Sequence, residues 1–407
     1  MVPEGWSEVI VSDVLSRVSK PVAVEQDTYY EEIGIRSHGK GTFYKPPRLG
    51  KDIGNKRVFW VEPGCFVVNI VFAWEQAVSK TNEHDRGKIA SHRFPMYAPR
   101  NGKADIEYIT YFFKTLKGKY LLGLASPGGA GRNKTLGQKE FDRLPLCLPP
   151  VYEQEKIGEI LTTWDRAIET LQCLVENSQA QKKALMQQLL TGIQRFPGFG
   201  ADWQEFSLGD LGNTYGGLTG KNKDDFGTGR PFIPYKNIFA NSRIDPTWLD
   251  LVHIQPGEKQ NEVRFGDIFF TTSSETPDEV GMASVLLEEM EDVYLNSFCF
   301  GFRLNDFETL LPNFAQHILR GQQVRRLIYP LAQGATRYNL SKKQLMKVRL
   351  LLPSLEEQEL ISSVLSVADK EIAALGQRLH CFKQEKRALM QQLLTGKRRV
   401  KVKKEAA

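Results

Sequence analysis

A ten-residue segment occurs twice in this chain, and this repeat constrains the fold more than any other feature of the sequence. Residues 183–192 and 387–396 are identical at nine of ten positions and lie 204 positions apart (387 minus 183). The same spacing relates Glu-Gln-Glu at residues 153–155 to residues 357–359, so the agreement extends well upstream. Repetition over such a length does not arise by chance. The sequence therefore predicts a tandem duplication, in which each half is a variable body followed by a nearly identical tail.

The two tails carry the spacing of a coiled coil. Their apolar positions advance by alternating steps of four and three residues, which is a heptad pattern. Prolines before each tail, and Gly192 and Gly396 near its end, are typical helix boundaries. The sequence predicts two long helices, residues 151–196 and 354–396, which pack as an antiparallel coiled coil with pseudo-twofold symmetry. The seam positions that define this prediction are Ile157, Leu161, Trp164, Ile168, Leu171 and Val175 in the first helix, and Ile361, Leu365, Ile372, Leu375, Leu379 and Leu389 in the second.

One seam position is charged in both helices. Lys182 and Lys386 occupy equivalent places in the repeat. Polar residues in a coiled-coil seam reduce stability but fix the register and the choice of partner. We interpret the two lysines either as register-setting residues or as the points where each helix leaves the seam.

Residues 1–150 and 197–353 differ in kind from the helices. They contain short apolar and aromatic runs, such as residues 66–71 and 297–303, which glycine and proline interrupt and which are typical of strands. Helical periodicity occurs only late in each body. The predicted fold class is α+β: two strand-rich α/β domains, each followed by a long helix, with a basic tail at residues 397–407. The tail either contacts DNA phosphates or is a solvated end.

Composition excludes several classes of protein. Charged residues make up 25% and hydrophobic residues 41%, which is typical of globular chains and not of disordered ones. The most apolar stretch, residues 65–74, is well short of the ~20 residues of a membrane helix. The five cysteines are too widely spaced for a disulfide framework or a zinc knuckle. Because no secretory signal opens the sequence, we expect a cytoplasmic protein with no membrane partner.

Loops rich in glycine, basic and small polar residues occur in both bodies. Glycine lets the backbone approach a phosphate, lysine and arginine neutralise it, and asparagine, serine and arginine can hydrogen-bond to base edges. Any one such loop is more simply a solvated turn. Only the occurrence of these loops in both halves favours DNA binding, because the net charge of +6 is too small to indicate it. The residues predicted to bind DNA are Ser37, His38, Lys40, Lys45, Arg93, Arg132, Asn133 and Lys134 in the first body, and Thr219, Lys221, Asn222, Lys223, Tyr235, Lys236, Asn237, Ser273, Ser274, Arg337, Tyr338 and Asn339 in the second.

No catalytic constellation is recognisable in the sequence. Residues 216–221 resemble a phosphate-binding loop, but they do not meet the spacing GxxxxGK[ST]. No GxGxxG motif and no Asn-Pro-Pro-aromatic motif occurs, and the six histidines lack the spacing of metal ligands. We therefore predict no catalytic and no metal-binding residue in this chain, and hence a protein that is not an enzyme.

Two segments that lead into the helices carry a family resemblance. Residues 144–157 read LPLCLPPVYEQEKI, and residues 348–361 read VRLLLPSLEEQELI. Both resemble the run that precedes each long helix in the specificity subunits of type I restriction-modification enzymes. The likeness covers the full length, since a variable body and a long helix alternate twice in that family. The resemblance in the helices is highly specific to this family, whereas the bodies resemble it only in their general organisation.

The resemblance implies a non-catalytic DNA-recognition subunit. Each body would be a target-recognition domain that reads one half of a split sequence in double-stranded DNA. The helices would space the two half-sites and recruit two methyltransferase subunits, through which nuclease/translocase subunits join. S-adenosylmethionine, ATP and Mg²⁺ would belong to those partners, with no cofactor in this chain. The alternative is a coiled-coil adaptor whose variable bodies bind protein or other ligands.

Overall fold

The chain divides into two compact units, and the division falls within the two long helices. A computed structural model describes residues 2–128 and 134–400. The first unit comprises Met1–Gln172 and Gln377–Ala407, and the second comprises Cys173–Gly376. Each unit therefore contains one body, the first part of one long helix and the last part of the other. Helix accounts for 38% and strand for 22% of the structure, so the predicted α+β class is confirmed.

The first unit is built around an antiparallel sheet of four strands. Its strands are β1 (Ser7–Ile10), β2 (Leu15–Val18), β3 (Tyr29–Tyr30), β4 (Ile33–Ile35), β5 (Thr42–Tyr44), β6 (Arg48–Leu49), β7 (Val58–Trp60), β8 (Phe66–Val68), β9 (Val78–Lys80), β10 (Ile89–Ser91), β11 (Met96–Pro99) and β12 (Pro145–Leu148). Its short helices are α1 (Val11–Val14), α2 (Gly50–Ile53), α3 (Ile106–Phe113), α4 (Leu116–Leu124) and α5 (Gln138–Asp142). The central sheet has the order β2-β11-β8-β9, and α3 packs on β8 and β9. Buried aromatic rings fill the space between them, with Phe66 stacked on Phe141 at 6.1 Å between ring centroids.

The second unit repeats this plan around a four-stranded sheet of its own. After the long helix α6 (Val151–Leu189), its strands are β13 (Gln204–Ser207), β14 (Gly212–Gly216), β15 (Phe226–Ile233), β16 (Asp250–Val252), β17 (Ile268–Thr271), β18 (Ser273–Ser274), β19 (Ala283–Val285), β20 (Tyr294–Leu295), β21 (Cys299–Leu304), β22 (Ala332–Gln333), β23 (Tyr338–Leu340) and β24 (Arg349–Leu352). Its helices are α7 (Leu208–Leu211), α8 (Tyr235–Ala240), α9 (Pro312–Ile318), α10 (Gln322–Ile328) and α11 (Lys342–Leu345), before the long helix α12 (Leu355–Leu393). The central antiparallel sheet has the order β14-β21-β17-β19, and α9 packs on β19. Two three-stranded sheets, β16-β15-β20 and β18-β23-β22, extend this body.

In both units the first strand of the body pairs with the last one. Ser7 of β1 lies opposite Leu148 of β12, and Gln204 of β13 lies opposite Leu352 of β24, both in antiparallel ladders. The chain therefore enters and leaves each body at one place. The last strand leads directly into a long helix, so this pairing fixes where the helix begins.

The two long helices are each 39 residues long, which confirms the predicted helices. They end earlier than the predicted boundaries at residues 196 and 396, because the backbone reverses just beyond Leu189 and Leu393. Gly192 and Gly396 have φ values of +71° and +70°, in the left-handed region that glycine adopts without strain. Every seam position named above is buried or half-buried.

Antiparallel packing of the helices is seen inside each unit. In the first unit Asp165 of α6 pairs with Lys386 of α12, and the Trp164 ring lies 5.2 Å from the Phe382 ring between centroids. In the second unit Lys182 of α6 pairs with Asp369 of α12. Each seam lysine thus has one acidic partner on the other helix. This arrangement favours the interpretation that the lysines set the register.

A second pair of equivalent ion pairs lies where one helix ends and the other begins. Arg195 Nη2 is 2.7 Å from Glu357 Oε2, and Arg399 Nη2 is 2.7 Å from Glu153 Oε2. The side chains of the two glutamates are only 1% and 2% exposed. Arg399, in the predicted basic tail, therefore contributes an ion pair to the fold, although 41% of its side chain is exposed. Residues 401–407 lie outside the described part of the chain.

Candidate nucleic-acid interface

Several of the residues predicted to bind DNA meet on the small sheet β18-β23-β22 of the second unit. Ser273 lies opposite Asn339 and Ser274 lies opposite Tyr338 in an antiparallel ladder. The turn between β22 and β23 then carries Arg337 as its last residue. A Cβ atom on Gly334, whose φ is +129°, would lie 2.2 Å from the carbonyl oxygen of Arg337. Only glycine permits this close approach, so Gly334 fixes the backbone position of Arg337.

The guanidinium of Arg337 is held at one atom and open at the others. Its Nε donates to Ser273 Oγ at 3.1 Å, and its central carbon lies 5.9 Å from the centroid of the Phe298 ring. Phe298 is 57% exposed, which is unusual for a phenylalanine. The Tyr235 hydroxyl donates to Ser273 O at 2.9 Å, and partial burial raises the pKa of that phenol. Hydrogen bonds to Ser273 thus hold both Arg337 and Tyr235 in place.

These side chains line an open cavity of about 590 Å³. Its walls combine a guanidinium, three aromatic rings and two carboxylates, and the residues are Tyr235, Phe239, Ser273, Ser274, Glu275, Glu279, Phe298, Thr336 and Arg337. An arginine fork can donate two hydrogen bonds to guanine, and a glutamate can accept one from the cytosine amino group. Glu279 Oε2 accepts from Ser274 Oγ at 3.1 Å, which orients that carboxylate. The site can therefore contact base edges as well as phosphates.

The loop at residues 219–223 uses most of its polar groups internally. Lys221 Nζ is 2.5 Å from Glu258 Oε2, and the lysine side chain is only 6% exposed. This hydrogen bond is the main reason why the pKa of Glu258 falls to about 2. Thr219 exchanges two backbone hydrogen bonds with the Gln260 amide, and Asn222 Oδ1 accepts from Asp224 N at 2.9 Å. Lys223 is exposed and is the cation of this loop that solvent or DNA can reach.

Asn237 lies inside the second body rather than on its surface. Its side chain is fully buried. Its Nδ2 donates to the carbonyls of Asp245 and Trp248 at 2.8 Å each, and its Oδ1 accepts from Asp245 N at 3.0 Å. The residue holds the loop that follows α8 and leaves no atom for DNA. Its neighbour Lys236 is exposed.

In the first unit, three of the predicted residues meet around the turn Ala73–Glu75. Ser37 Oγ donates to Glu75 Oε2 at 2.9 Å, and the backbone N of His38 donates to Glu75 O at 2.7 Å. Lys134 Nζ lies 5.8 Å from the centroid of the Trp74 ring. The tight turn that carries Ser37 includes a left-handed His38, with φ of +62°. These contacts bring two loops that are distant in sequence to one place.

The other predicted residues of the first unit are more scattered. Lys45 pairs with Glu32 at 3.0 Å between Nζ and Oε2. Lys40 and Arg93 are exposed. The predicted residues Arg132 and Asn133 lie outside the described residues.

Comparison with known proteins connects this arrangement to a family. The sequence profile described as "Type I restriction modification DNA specificity domain" matches residues 40–176 and 200–380, one match for each half of the duplication. The chain belongs to the type I restriction-modification specificity family. Its expected role as the DNA-recognition subunit, and not a catalytic subunit, is confirmed by this membership.

Two curated relatives and one solved structure extend the likeness over the whole chain. The chain is 23% identical to the MjaVIII specificity subunit of Methanocaldococcus jannaschii over 423 aligned positions, which cover 98% of this chain and 94% of the relative. It is 25% identical to the putative MjaX specificity subunit of the same organism, covering 74% and 70%. The S subunit of a type I system from M. genitalium matches with a TM-score of 0.60 at 12% identity, covering 99% and 100%. This last likeness shows a shared fold.

Phe298 and Glu279 are residues of the candidate interface of this specificity subunit that the sequence prediction missed. Phe298 belongs to the aromatic run 297–303, which the sequence predicts as a strand, but strand β21 begins only at Cys299 and leaves Phe298 just outside it. No sequence signal marked Glu279, because carboxylates are common on solvated surfaces. In the described residues, no cluster of His, Cys, Asp or Glu side chains is placed to hold a metal ion. No helix there has both the length and the apolar character to cross a bilayer.

Proposed function

We propose that this specificity subunit reads a bipartite sequence in double-stranded DNA, one half with each body. The observation that carries the proposal is the residue-level equivalence of the two units. Both units contain the same strand pairing. They also contain the same seam ion pair and the same ion pair at the helix ends, and these ion pairs recur at the spacing of the sequence repeat. A duplicated scaffold with two different sets of loops is suited to two different half-sites.

Arg337 is the residue that we propose for base recognition in the second body. The first body contains a similar order of residues: residues 129–132 read Gly-Ala-Gly-Arg, and residues 334–337 read Gly-Ala-Thr-Arg. We therefore propose Arg132 as the counterpart of Arg337. We propose that the exposed basic residues among the predicted DNA-binding residues contact phosphates; these are Lys40, Arg93, Lys223 and Lys236.

The long helices have two roles in this proposal. They set the distance between the half-sites, and they recruit two methyltransferase subunits. Because the C-terminal segments of the two helices, residues 183–192 and 387–396, are nearly identical, a partner that recognises one helix end recognises the other as well. Nuclease/translocase subunits then join through the methyltransferases. S-adenosylmethionine, ATP and Mg²⁺ are expected in those partner subunits.

A body exchange tests the proposal directly. Residues 197–353 are replaced by the corresponding body of a relative, and both proteins are co-expressed with the methyltransferase subunit. Methylated positions are then mapped in the host genome, and the copy number of the methyltransferase is measured in the purified complex. We expect one half-site to change and two methyltransferase copies per chain. A change in both half-sites would refute independent reading, and an unmethylated genome with no methyltransferase bound would support the coiled-coil adaptor.

A further inference from the structure

A second cavity in the second unit has a different character from the candidate DNA interface. It has a volume of about 570 Å³ and lies between the long helices, α9 and the end of α8. Basic side chains dominate its charged lining, which consists of Lys182, Arg243, Arg320 and Lys370 against the single carboxylate of Asp369. Its volume falls in the range of small-molecule sites, roughly 300–1,000 Å³.

The buried imidazole of His317 lines this cavity, and one of its ring nitrogens has no hydrogen-bond partner in the described structure. The residue is 1% exposed, and its Nδ1 has no hydrogen-bond partner in the described structure. Nε2 lies 3.5 Å from Ser366 Oγ, whereas Nδ1 is 4.0 Å from Asp369 Oδ2, too far for a hydrogen bond. Burial, with a smaller effect from Lys182, lowers the pKa of His317 to about 4. The ring is therefore neutral at pH 7, and one of its nitrogens carries a proton that can be donated.

The cations of the cavity outnumber their carboxylate partners. Lys182 pairs with Asp369, and Arg243 pairs with Glu288, which does not line the cavity. Within the part of the chain that the structure describes, the guanidinium of Arg320 donates to backbone carbonyls alone, those of Ala283, Ile238, Phe239 and Asn241. Burial lowers the pKa of Arg320 to about 10, so it stays charged at neutral pH. Among the described residues, no carboxylate pairs with Lys370. The cavity therefore has a net positive charge in a partly desolvated setting, which favours an anion.

The equivalent place in the first unit is closed by a larger side chain. His317 is the sixth residue of α9, and the sixth residue of α3 is Tyr111. The Tyr111 hydroxyl donates to Asp165 Oδ2 at 2.6 Å and lies 3.4 Å from Thr162 Oγ1. Asp165 and Thr162 are the repeat equivalents of Asp369 and Ser366. In the first unit Tyr111 thus hydrogen-bonds to the helix aspartate, whereas in the second unit His317 does not reach the equivalent aspartate.

We propose that the cavity beside His317 is a binding site for a phosphate group, either free, on a small ester, or on a DNA backbone. His317 Nδ1 donates a hydrogen bond to a phosphate oxygen. Lys370 and Arg320 supply the uncompensated positive charge, and Lys182 contributes while it stays paired to Asp369. Arg320 also holds the C-terminal end of α8, whose first residue is Tyr235 of the candidate DNA interface. A bound phosphate would therefore contact Arg320, the residue that holds the helix carrying Tyr235 of the candidate DNA interface.

Titration of the full-length chain with inorganic phosphate tests this site. Calorimetry at constant ionic strength measures affinity, and NMR of ¹⁵N-labelled histidine reports on the ring nitrogens of His317. We expect saturable binding with a shift of the Nδ1 resonance. His317→Tyr installs the side chain that fills the equivalent place in the first unit, and should weaken phosphate binding at least about tenfold. Equal phosphate affinity in the wild-type chain and His317→Tyr would overturn the proposal and indicate an adventitious ion only.

Matched variants and a DNA arm complete the experiment. Tyr111→Phe alters the equivalent cluster of the first unit and should leave phosphate affinity unchanged. Lys370→Met keeps His317 in place and should weaken binding, so it tests the site even where His317→Tyr folds poorly. Unchanged affinity in Lys370→Met would also count against it. A cognate duplex that competes with phosphate would identify a DNA backbone phosphate as the ligand, and simultaneous binding would identify a free phosphate or a small ester.

Discussion

Side chains of the same type in similar loops have different roles at the scale of single residues. Lys221 and Arg337 both lie in polar loops that contain glycine. Lys221 is nearly buried against Glu258, whereas Arg337 is exposed and uses only its Nε inside the protein. Glu258 is 37 residues away in sequence, so loop composition does not reveal this pairing. A basic residue in a loop is therefore a candidate for DNA binding only once its partners are known.

Arg337 is expected to determine one base in the half-site read by the second body. Arg337→Ala should weaken binding to cognate DNA by about 1–3 kcal/mol and relax the preference at one base pair, because the guanidinium fork is lost. Arg337→Lys keeps the charge without the fork, so it should keep the salt dependence but not the base preference. Fluorescence anisotropy with cognate and singly substituted duplexes, at several salt concentrations, measures both quantities.

Lys221→Ala serves as the control for this prediction. Its ion pair with Glu258 is internal, so the slope of DNA affinity against salt should stay at the wild-type value. If Lys221→Ala and Arg337→Ala reduced affinity and salt slope equally, the loops would act through folding, and Arg337 would not be a base-reading residue.

At the scale of elements, the length of a periodic pattern determined what the sequence could predict. The seams of α6 and α12 repeat over 39 residues each, and such a period survives local irregularities. The strands β18 and β22 contain two residues each, too few for any alternation to be recognised. The sheet that joins Ser273 to Asn339 was therefore not predictable, although both residues were candidates. Asn237 was misjudged for a related reason: its hydrogen bonds reach residues 8 and 11 positions away.

The ion pairs at the helix ends should stabilise both units to a similar degree. Arg195→Ala and Arg399→Ala each leave a buried glutamate without its cation, so each should lower the free energy of unfolding by about 1–3 kcal/mol. Because the Arg399 side chain is 41% exposed, the loss in Arg399→Ala should lie toward the lower end of that range. Urea unfolding followed by circular dichroism measures the change.

Arg398→Ala is the matched control, because it removes an exposed cation next to Arg399. Arg398→Ala should change the free energy of unfolding by about 0.5 kcal/mol at most. A loss as large as that of Arg399→Ala would mean that general charge in this segment, and not the pair with Glu153, stabilises the fold.

At the scale of the whole molecule, the duplication pairs a contact between neighbouring residues in one unit with a contact between distant residues in the other. In the second unit, Arg195 Nη1 donates to Ala201 O, and the chain runs continuously between them. In the first unit, Arg399 Nη1 donates to Glu4 O, and these two residues belong to opposite ends of the sequence. The N-terminal segment therefore occupies the place that the linker after Arg195 takes in the other half. Both units therefore contain the same contact, between residues 6 positions apart in one unit and 395 positions apart in the other.

Under the proposed function, the length of α6 and α12 sets the gap between the half-sites. Inserting seven residues after Gln172 and seven after Gly376 adds one heptad to each helix and preserves the seam. Each helix lengthens by about 10 Å at ~1.5 Å per residue, and at ~3.4 Å per base pair the unread gap should grow by about three base pairs. Mapping of methylated positions measures the gap. Four-residue insertions at the same points are the control, because they break the heptad and should reduce the unfolding free energy. An unchanged gap in a stably folded heptad variant would show that the helices do not set the spacing.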